Sequence, residues 1–433
     1  ACTSANKGRI GNEQDITIID LSDVKYSEEP SKLSEFVESI SYIRLDDTPL
    51  IPDLLFTGIA VIDDAIYIDQ KFVYKYTLDG KFLMSLFKQG QGPGEANKVA
   101  TRAAYDLENK MVAVNNNMGL TFRLYSLEGE HIGDVSKADS IGWNKTIISY
   151  VNGNEVYYYL PWSRPLRGDT INYDGPNFIF AKDLQTDSIV YRQQNYHYDI
   201  KAVVQNGIVK DQGYPFSYGF NDNLFWWKHQ SVDTIYCTSD FKDVRPCYII
   251  KKDKSFADYD FCVHRMVLDI PEYDFGRRLL SMVYPLGNGV LYHVAGRLDD
   301  SGSGFCKNND KALTFSPNGF VNDVDECFKY WNPSGVLGGS GWVKDGYLYA
   351  LMNAYEFFEE GCKPPFSDLT EESNPVILDL SFLEKESPAN FKLAGEKIKQ
   401  MRSNYGAEAL LLSRCNDKNL IIIAPKGVSL VRK

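Results

Sequence analysis

The chain has 433 residues, with 58 acidic against 46 basic side chains and a net charge of -12. A nucleic-acid surface needs a clustered excess of Lys and Arg, which this chain lacks, so no DNA or RNA partner is expected. No run approaches the roughly 18 apolar residues of a membrane-spanning helix, and 28 Tyr and 24 Phe, with Gly, Asn and Asp between short apolar segments, favour strands over helices.

The chain opens Ala1-Cys2-Thr3-Ser4-Ala5-Asn6, a polar start that places Cys2 where a bacterial lipoprotein carries its lipid. Residues 1–35 are read as this tether and an extended segment that includes ITIIDL. SISYIRLDD then makes an extended stretch that needs a sheet to join. From Gly58 the rhythm settles. GIAVID, DAIYID, FVYKYT and KFLMSLF form four short strands, the last two joined at Asp79-Gly80, and Gly90-Gln91-Gly92-Pro93-Gly94-Glu95 turns the chain into the next unit. ATRAAYDL, KMVAVNNN, LTFRLYS and EHIGDVS repeat that order, with Glu128-Gly129 in the place of Asp79-Gly80.

A third group holds TIISYVNG, NEVYYYLP, NFIFAKD and SIVYRQQ; a fourth holds FSYGFND, NLFWWKH, DTIYCTS and VRPCYIIK. A fifth is built on LLSMVYPL, GVLYHVAG and KALTFSP, and a sixth on GGSGWVK, GYLYALMNA and NPVILDLSF. A period of about 56 residues suits one four-stranded sheet per repeat. The expected fold is all-β: a six-bladed β-propeller of four-stranded blades over residues 36–383. SYIRL supplies the outer strand of the last blade, so that the ring has no open edge. Residues 384–433 break the repeat, with a helical composition followed by two or three strands, and are expected to be a small C-terminal α/β extension packed on the propeller.

The segments ISYIRLDD, FVYKYTLDGKFLMSLFKQGQGPGEA, SVDTIYCTSDFKDVRPCYII and SNPVILDL resemble the six-bladed, NHL-like β-propeller family that is abundant as lipoproteins of Bacteroides and its relatives. GQGPGE is the most specific string. The resemblance implies the fold and a lipid-anchored place in the bacterial cell envelope; it implies no activity and no catalytic residues. The sequence departs from the family in the tail beyond Glu384 and in the stretch from Asp299 to Asn309. The segment after Cys2 lacks the acidic run of surface-displayed lipoproteins, which points to the periplasmic side.

In a propeller, the loops that enter each inner strand share a face with those joining each second and third strand. That face is expected to collect Gln91, Glu95, Arg102, Trp143, Trp162, Arg164, Tyr214, Tyr218, Trp227, His229, Arg277, Arg278 and Trp342. Aromatic rings beside Arg and Glu suit a sugar, whose apolar face stacks while its hydroxyls find charged partners. The reading is a binding platform for a glycan, a peptide or another envelope protein, with membrane contact through lipid on Cys2 only. A propeller hydrolase or lyase, and a structural scaffold, are the alternatives. His131, His197, His229, His264 and His293 have no metal-ligand spacing, and no G-x-S-x-G elbow is present, so no catalytic set, metal or cofactor is expected. Asp299-Asp300-Ser301-Gly302-Ser303-Gly304 is read as a flexible surface loop. Cys237 and Cys247 flank a turn, and either bridge across it or stay as two buried thiols.

Overall fold

The computed structural model describes residues 16–51, 54, 57–97, 102–116, 121–136, 145–159, 170–172, 177–194, 201–205, 208–209, 216–221, 224–229, 232–257, 277–295, 301–333, 341–382, 411–412, 419–424 and 427–432. Two compact units result, Ala1–Phe382 and Leu383–Lys433. In the second, Leu411–Leu412, Asn419–Ala424 and Gly427–Arg432 form a three-stranded antiparallel sheet. The helical composition expected just before it lies outside the described residues.

The first unit is an all-β propeller. Gly58–Ile62, Ala65–Asp69, Val73–Thr77 and Phe82–Ser85 pair in antiparallel order. The first two strands are buried along their whole length, whereas the outermost is half-exposed, as expected where a sheet packs by both faces near the axis and meets water at the rim. Ala104–Asp106, Met111–Asn116, Thr121–Ser126 and His131–Ser136 repeat the arrangement, as do Lys145–Val151, Asn154–Tyr159, Asn177–Asp183 and Ile189–Gln194. In the first two sheets the outer hairpin is built alike. Gly80 N–H donates to the Thr77 carbonyl at 3.0 Å and Gly129 N–H to that of Ser126 at 3.0 Å. Both glycines have positive φ, and a register shift lies just before the turn, on the third strand of each sheet. The left-handed conformation is what glycine supplies here.

Among the described residues the blade sheets number five rather than six. The run Phe216–Asn221, Leu224–His229, Thr234–Thr238, Arg245–Lys251 is joined to the run Gly341–Lys344, Tyr347–Met352, Val376–Phe382 by a parallel pairing of Asn221 with Val343, which makes one ten-stranded sheet. Two inner strands thus meet directly near the axis. The remaining sheet has three strands, Leu279–Leu286, Gly289–Ala295 and Gly302–Lys307. Its third strand corrects two expectations. Gly302–Lys307 is largely buried and paired along Gly289–Val294, so it is strand and not surface loop; Thr314–Phe315, from KALTFSP, pairs instead with Lys25–Tyr26.

Val37–Arg44 lies antiparallel to Val376–Phe382 and forms the outer strand at the closure. Upstream, Thr17–Asp20 runs parallel between Arg245–Lys251 and Asp310–Lys311, so ITIIDL extends the ten-stranded sheet at its other end. Apolar side chains between neighbouring sheets make the core. Ile59, Val61, Ile66 and Ile68 meet Leu351 and Ile377 across the closure, and Phe225 and Trp227 meet Val156 and Ile179. Cys237 and Cys247 are joined by a disulfide, with Cα atoms 6.0 Å apart, across the hairpin of Thr234–Thr238 and Arg245–Lys251.

Candidate functional site

The inner strands converge on a cavity of ≈ 60 Å³. Every inner strand lends it a residue: Gly58 and Ile59, Tyr105, Ile148 and Ser149, Tyr218 to Phe220, Tyr284, and Gly341 with Trp342; Arg102 and Ala103 come from the approach to the second sheet, and Asp69 from the end of a second strand. That volume has room for a few waters or one small polar group.

A buried carboxylate and a guanidinium give this cavity its character. Asp69 is 2% exposed, pairs across the sheet with Gly58, and accepts the backbone N–H of Ala103, linking the first two sheets. The guanidinium carbon of Arg102 lies 5.8 Å from the centre of the Tyr218 ring, in cation–π range. Desolvation raises the Tyr218 phenol above its ordinary range, against the lowering effect of Arg102. Tyr284 is raised likewise by burial, again opposed by Arg102, and its hydroxyl donates to the Gly341 carbonyl at 3.0 Å. Tyr105 is pushed well up by burial and then by the charge of Asp69. All three phenols therefore stay neutral at ordinary pH. The Tyr105 hydroxyl is buried and has no hydrogen-bond partner among the described residues, the condition of a donor that waits for a ligand or water.

Trp342 closes the axis. Its ring lies 6.2 Å from that of Tyr105 and 5.7 Å from that of Phe220, and it packs against the apolar clusters of three sheet interfaces.

Of the residues expected from the sequence, Arg102, Tyr218 and Trp342 meet in this cavity. Trp143, Trp162, Arg164, Tyr214 and Cys2 lie outside the described residues. Gln91 is exposed on the corner after the first sheet, and Glu95 caps that corner, its Oε2 accepting the Gly92 N–H at 3.0 Å. A side chain at Gly90 would overlap the Glu95 carboxylate, so the GQGPGE string is explained as a turn. Trp227 is a correction: it is fully buried, its Nε1 donates to Gln193 at 2.6 Å, and it stacks on Tyr236. Removing it would test packing. His229 is also buried, at 3% exposure. Arg278 donates to the Val24 carbonyl at 2.9 Å and covers the Phe315 ring, which anchors the N-terminal segment. Arg277 beside it is exposed. His293 contacts Ser303 at 3.1 Å, and burial lowers its affinity for a proton. Among the described residues no group of three His, Cys, Asp or Glu side chains could hold a metal ion.

Asp69, Tyr105, Ser149 and Tyr284 were not foreseen. Asp69 ends the strand Ala65–Asp69 and pairs with Val73 at the mouth of the following hairpin.

No protein-family profile matches the sequence, and no curated protein matches it. Among solved structures, a predicted exported protein from Bacteroides fragilis superposes with a TM-score of 0.57 at 12% identity, over 85% of this chain and 100% of that one. This likeness shows a shared β-propeller fold. A member of the DUF4221 family from Bacteroides vulgatus aligns with a TM-score of 0.46 at 12% identity, over 80% and 97%. A virginiamycin B lyase from Staphylococcus aureus aligns with a TM-score of 0.34 at 9% identity, over 80% and 100%.

Proposed function

We propose that this propeller is a binding module of the bacterial cell envelope, held by lipid on Cys2 on the periplasmic side, and that its ligand is a glycan whose tip enters the axial cavity. The carrying observation is the chemistry of that cavity. Asp69 accepts hydrogen bonds, Arg102 donates them, and neutral phenols stand beside both. A sugar hydroxyl does both at once, whereas a purely anionic tip would meet the Asp69 carboxylate and a cationic one the guanidinium. The size of the cavity fits one hydroxyl-bearing group, with the remainder of the ligand on the face above it. The Cys237–Cys247 disulfide supports an oxidising, extracytoplasmic compartment.

A glycan and peptide array probed with the purified protein tests this reading. A glycan hit that Arg102→Ala and Asp69→Asn each weaken by about tenfold or more, with unchanged melting, supports it. Silence on the glycans, or affinity indifferent to both substitutions, overturns it, and a peptide hit moves the ligand to that class.

A further inference from the structure

Two half-buried cysteines lie on neighbouring excursions of the chain. Cys327 belongs to the stretch that precedes Gly341–Lys344, and Cys362 to the one between Tyr347–Met352 and Val376–Phe382. The backbone brings them together. The N–H of Lys363 donates to the carbonyl of Glu326 at 2.8 Å. In a trans peptide the carbonyl oxygen lies on the side of the following α-carbon, and the amide hydrogen on the side of the preceding one. The α-carbons that flank this hydrogen bond are thus those of Cys327 and Cys362, and standard bond geometry keeps them within about 8 Å of each other. Disulfides span α-carbon separations of roughly 4.4–6.8 Å, a range that lies within this bound.

Each excursion is fixed independently near its cysteine. The Cys327 N–H donates to Asp325 at 3.0 Å, Asp325 also accepts the Tyr42 hydroxyl at 2.7 Å, and the Cys362 N–H donates to the Glu359 carbonyl at 3.0 Å. Lys363 and Glu326 add an ion pair over the same contact.

We propose that Cys327 and Cys362 form a second disulfide in the mature protein, a clip between these two excursions. The two sulfurs are unbonded in this structure. Closure proceeds by exchange with a small disulfide such as oxidised glutathione. One cysteine thiolate attacks a glutathione sulfur and expels a glutathione thiolate; the second cysteine thiolate then attacks the mixed disulfide and expels the other. The cysteine sulfurs are oxidised, the glutathione disulfide is reduced, and the two thiol protons end on the departing glutathiones. The local chemistry favours a lasting bond over a reactive switch. Burial raises the Cys327 thiol, and the nearby Asp325 and Cys362 add to the effect despite the opposing Tyr42; burial and Glu359 raise Cys362. Thiols held up in this way are poor leaving groups, so an outside thiolate reopens the bond slowly.

The test is peptide mapping of the full chain, exported to an oxidising compartment or incubated with oxidised glutathione, then alkylated and digested without reductant. The expected result is a linked peptide pair containing Cys327 and Cys362, with a mass equal to the sum of the two less two hydrogens, beside the pair containing Cys237 and Cys247. Cys327→Ser should abolish the new pair and leave Cys362 alkylated, while Cys306→Ser should retain it. Alkylation of both Cys327 and Cys362 in a sample whose Cys237–Cys247 pair is linked overturns the proposal, as does linkage of either to a different cysteine.

Discussion

The side-chain oxygen of Asn374 accepts the backbone N–H of Ile51 at 2.7 Å, from a site only 1% exposed. The amino group of the same carboxamide donates to the carbonyls of Asp46 at 2.6 Å and Pro49 at 2.7 Å. One side chain thus fastens the segment between Val37–Arg44 and the first sheet to the residues that lead into Val376–Phe382. Asn374→Ala should destabilise the protein by about 2–4 kcal/mol, since it strands a buried N–H and two carbonyls. Asn374→Asp should cost more at neutral pH, because a carboxylate would face those two carbonyl oxygens. Urea denaturation of the three proteins checks the order, which equal midpoints would refute.

Gly80 and Gly153 separate two costs. Both have positive φ, at +85° and +73°, but a Cβ at Gly80 would overlap the Arg44 carbonyl, while at Gly153 it meets nothing within 4 Å. Gly153→Ala should cost about 1–2 kcal/mol from backbone strain alone. Gly80→Ala should exceed it and loosen the closing strand, to be read as faster amide exchange along Val37–Arg44 in Gly80→Ala than in Gly153→Ala.

Asp379 gives the fold a pH dependence of unusual sign. Its Oδ1 is buried without a partner among the described residues, and burial raises its pKa from 3.8 to about 6. The folded state therefore binds the proton more tightly than the unfolded chain, so this group's contribution to stability falls as pH rises from about 4 to 6 and stays lost above that. Asp379→Asn should gain about 1–2 kcal/mol at pH 7, a figure reduced for partial exposure, with the gain shrinking to nothing near pH 4. Melting curves of both proteins across that window decide; a gain that persists at pH 4 would point to a packing effect.

Breaking Cys237–Cys247 should cost about 2–3 kcal/mol, as expected for a short loop. The double variant Cys237→Ala with Cys247→Ala should melt lower than the parent without reductant and level with the reduced parent in its presence. Equal melting in both conditions would show that the hairpin needs no bridge.

The hairpins at Asp79-Gly80 and Glu128-Gly129 were legible because a positive φ and a two-period pattern leave few alternatives, and SYIRL was legible because an extended apolar stretch without its own partner must find one. The merger of two blades was not. It rests on Asn221 meeting Val343, residues far apart in sequence that touch because inner strands crowd the axis. For the same reason the cavity was read only in part. Arg102, Tyr218 and Trp342 were on the expected face, but Asp69 and Tyr284 join them from separate repeats, and local sequence carries no sign of the meeting. Trp227 misled because both tryptophans of LFWWKH pack between sheets, Trp226 against Tyr284 on one face and Trp227 with Val156 and Ile179 on the other, and no local pattern names those neighbours.

The antiparallel pairing of Val37–Arg44 with Val376–Phe382 also sets an order in time. A ribosome that has made the first of these strands must add more than three hundred further residues before the second exists, and until then the nascent sheets carry an edge open to any passing strand. Closure comes last and joins the most distant pieces, so assembly should be slow for this chain. A protein of this kind gains from staying unfolded, or shielded by chaperones, until its synthesis has passed residue 382.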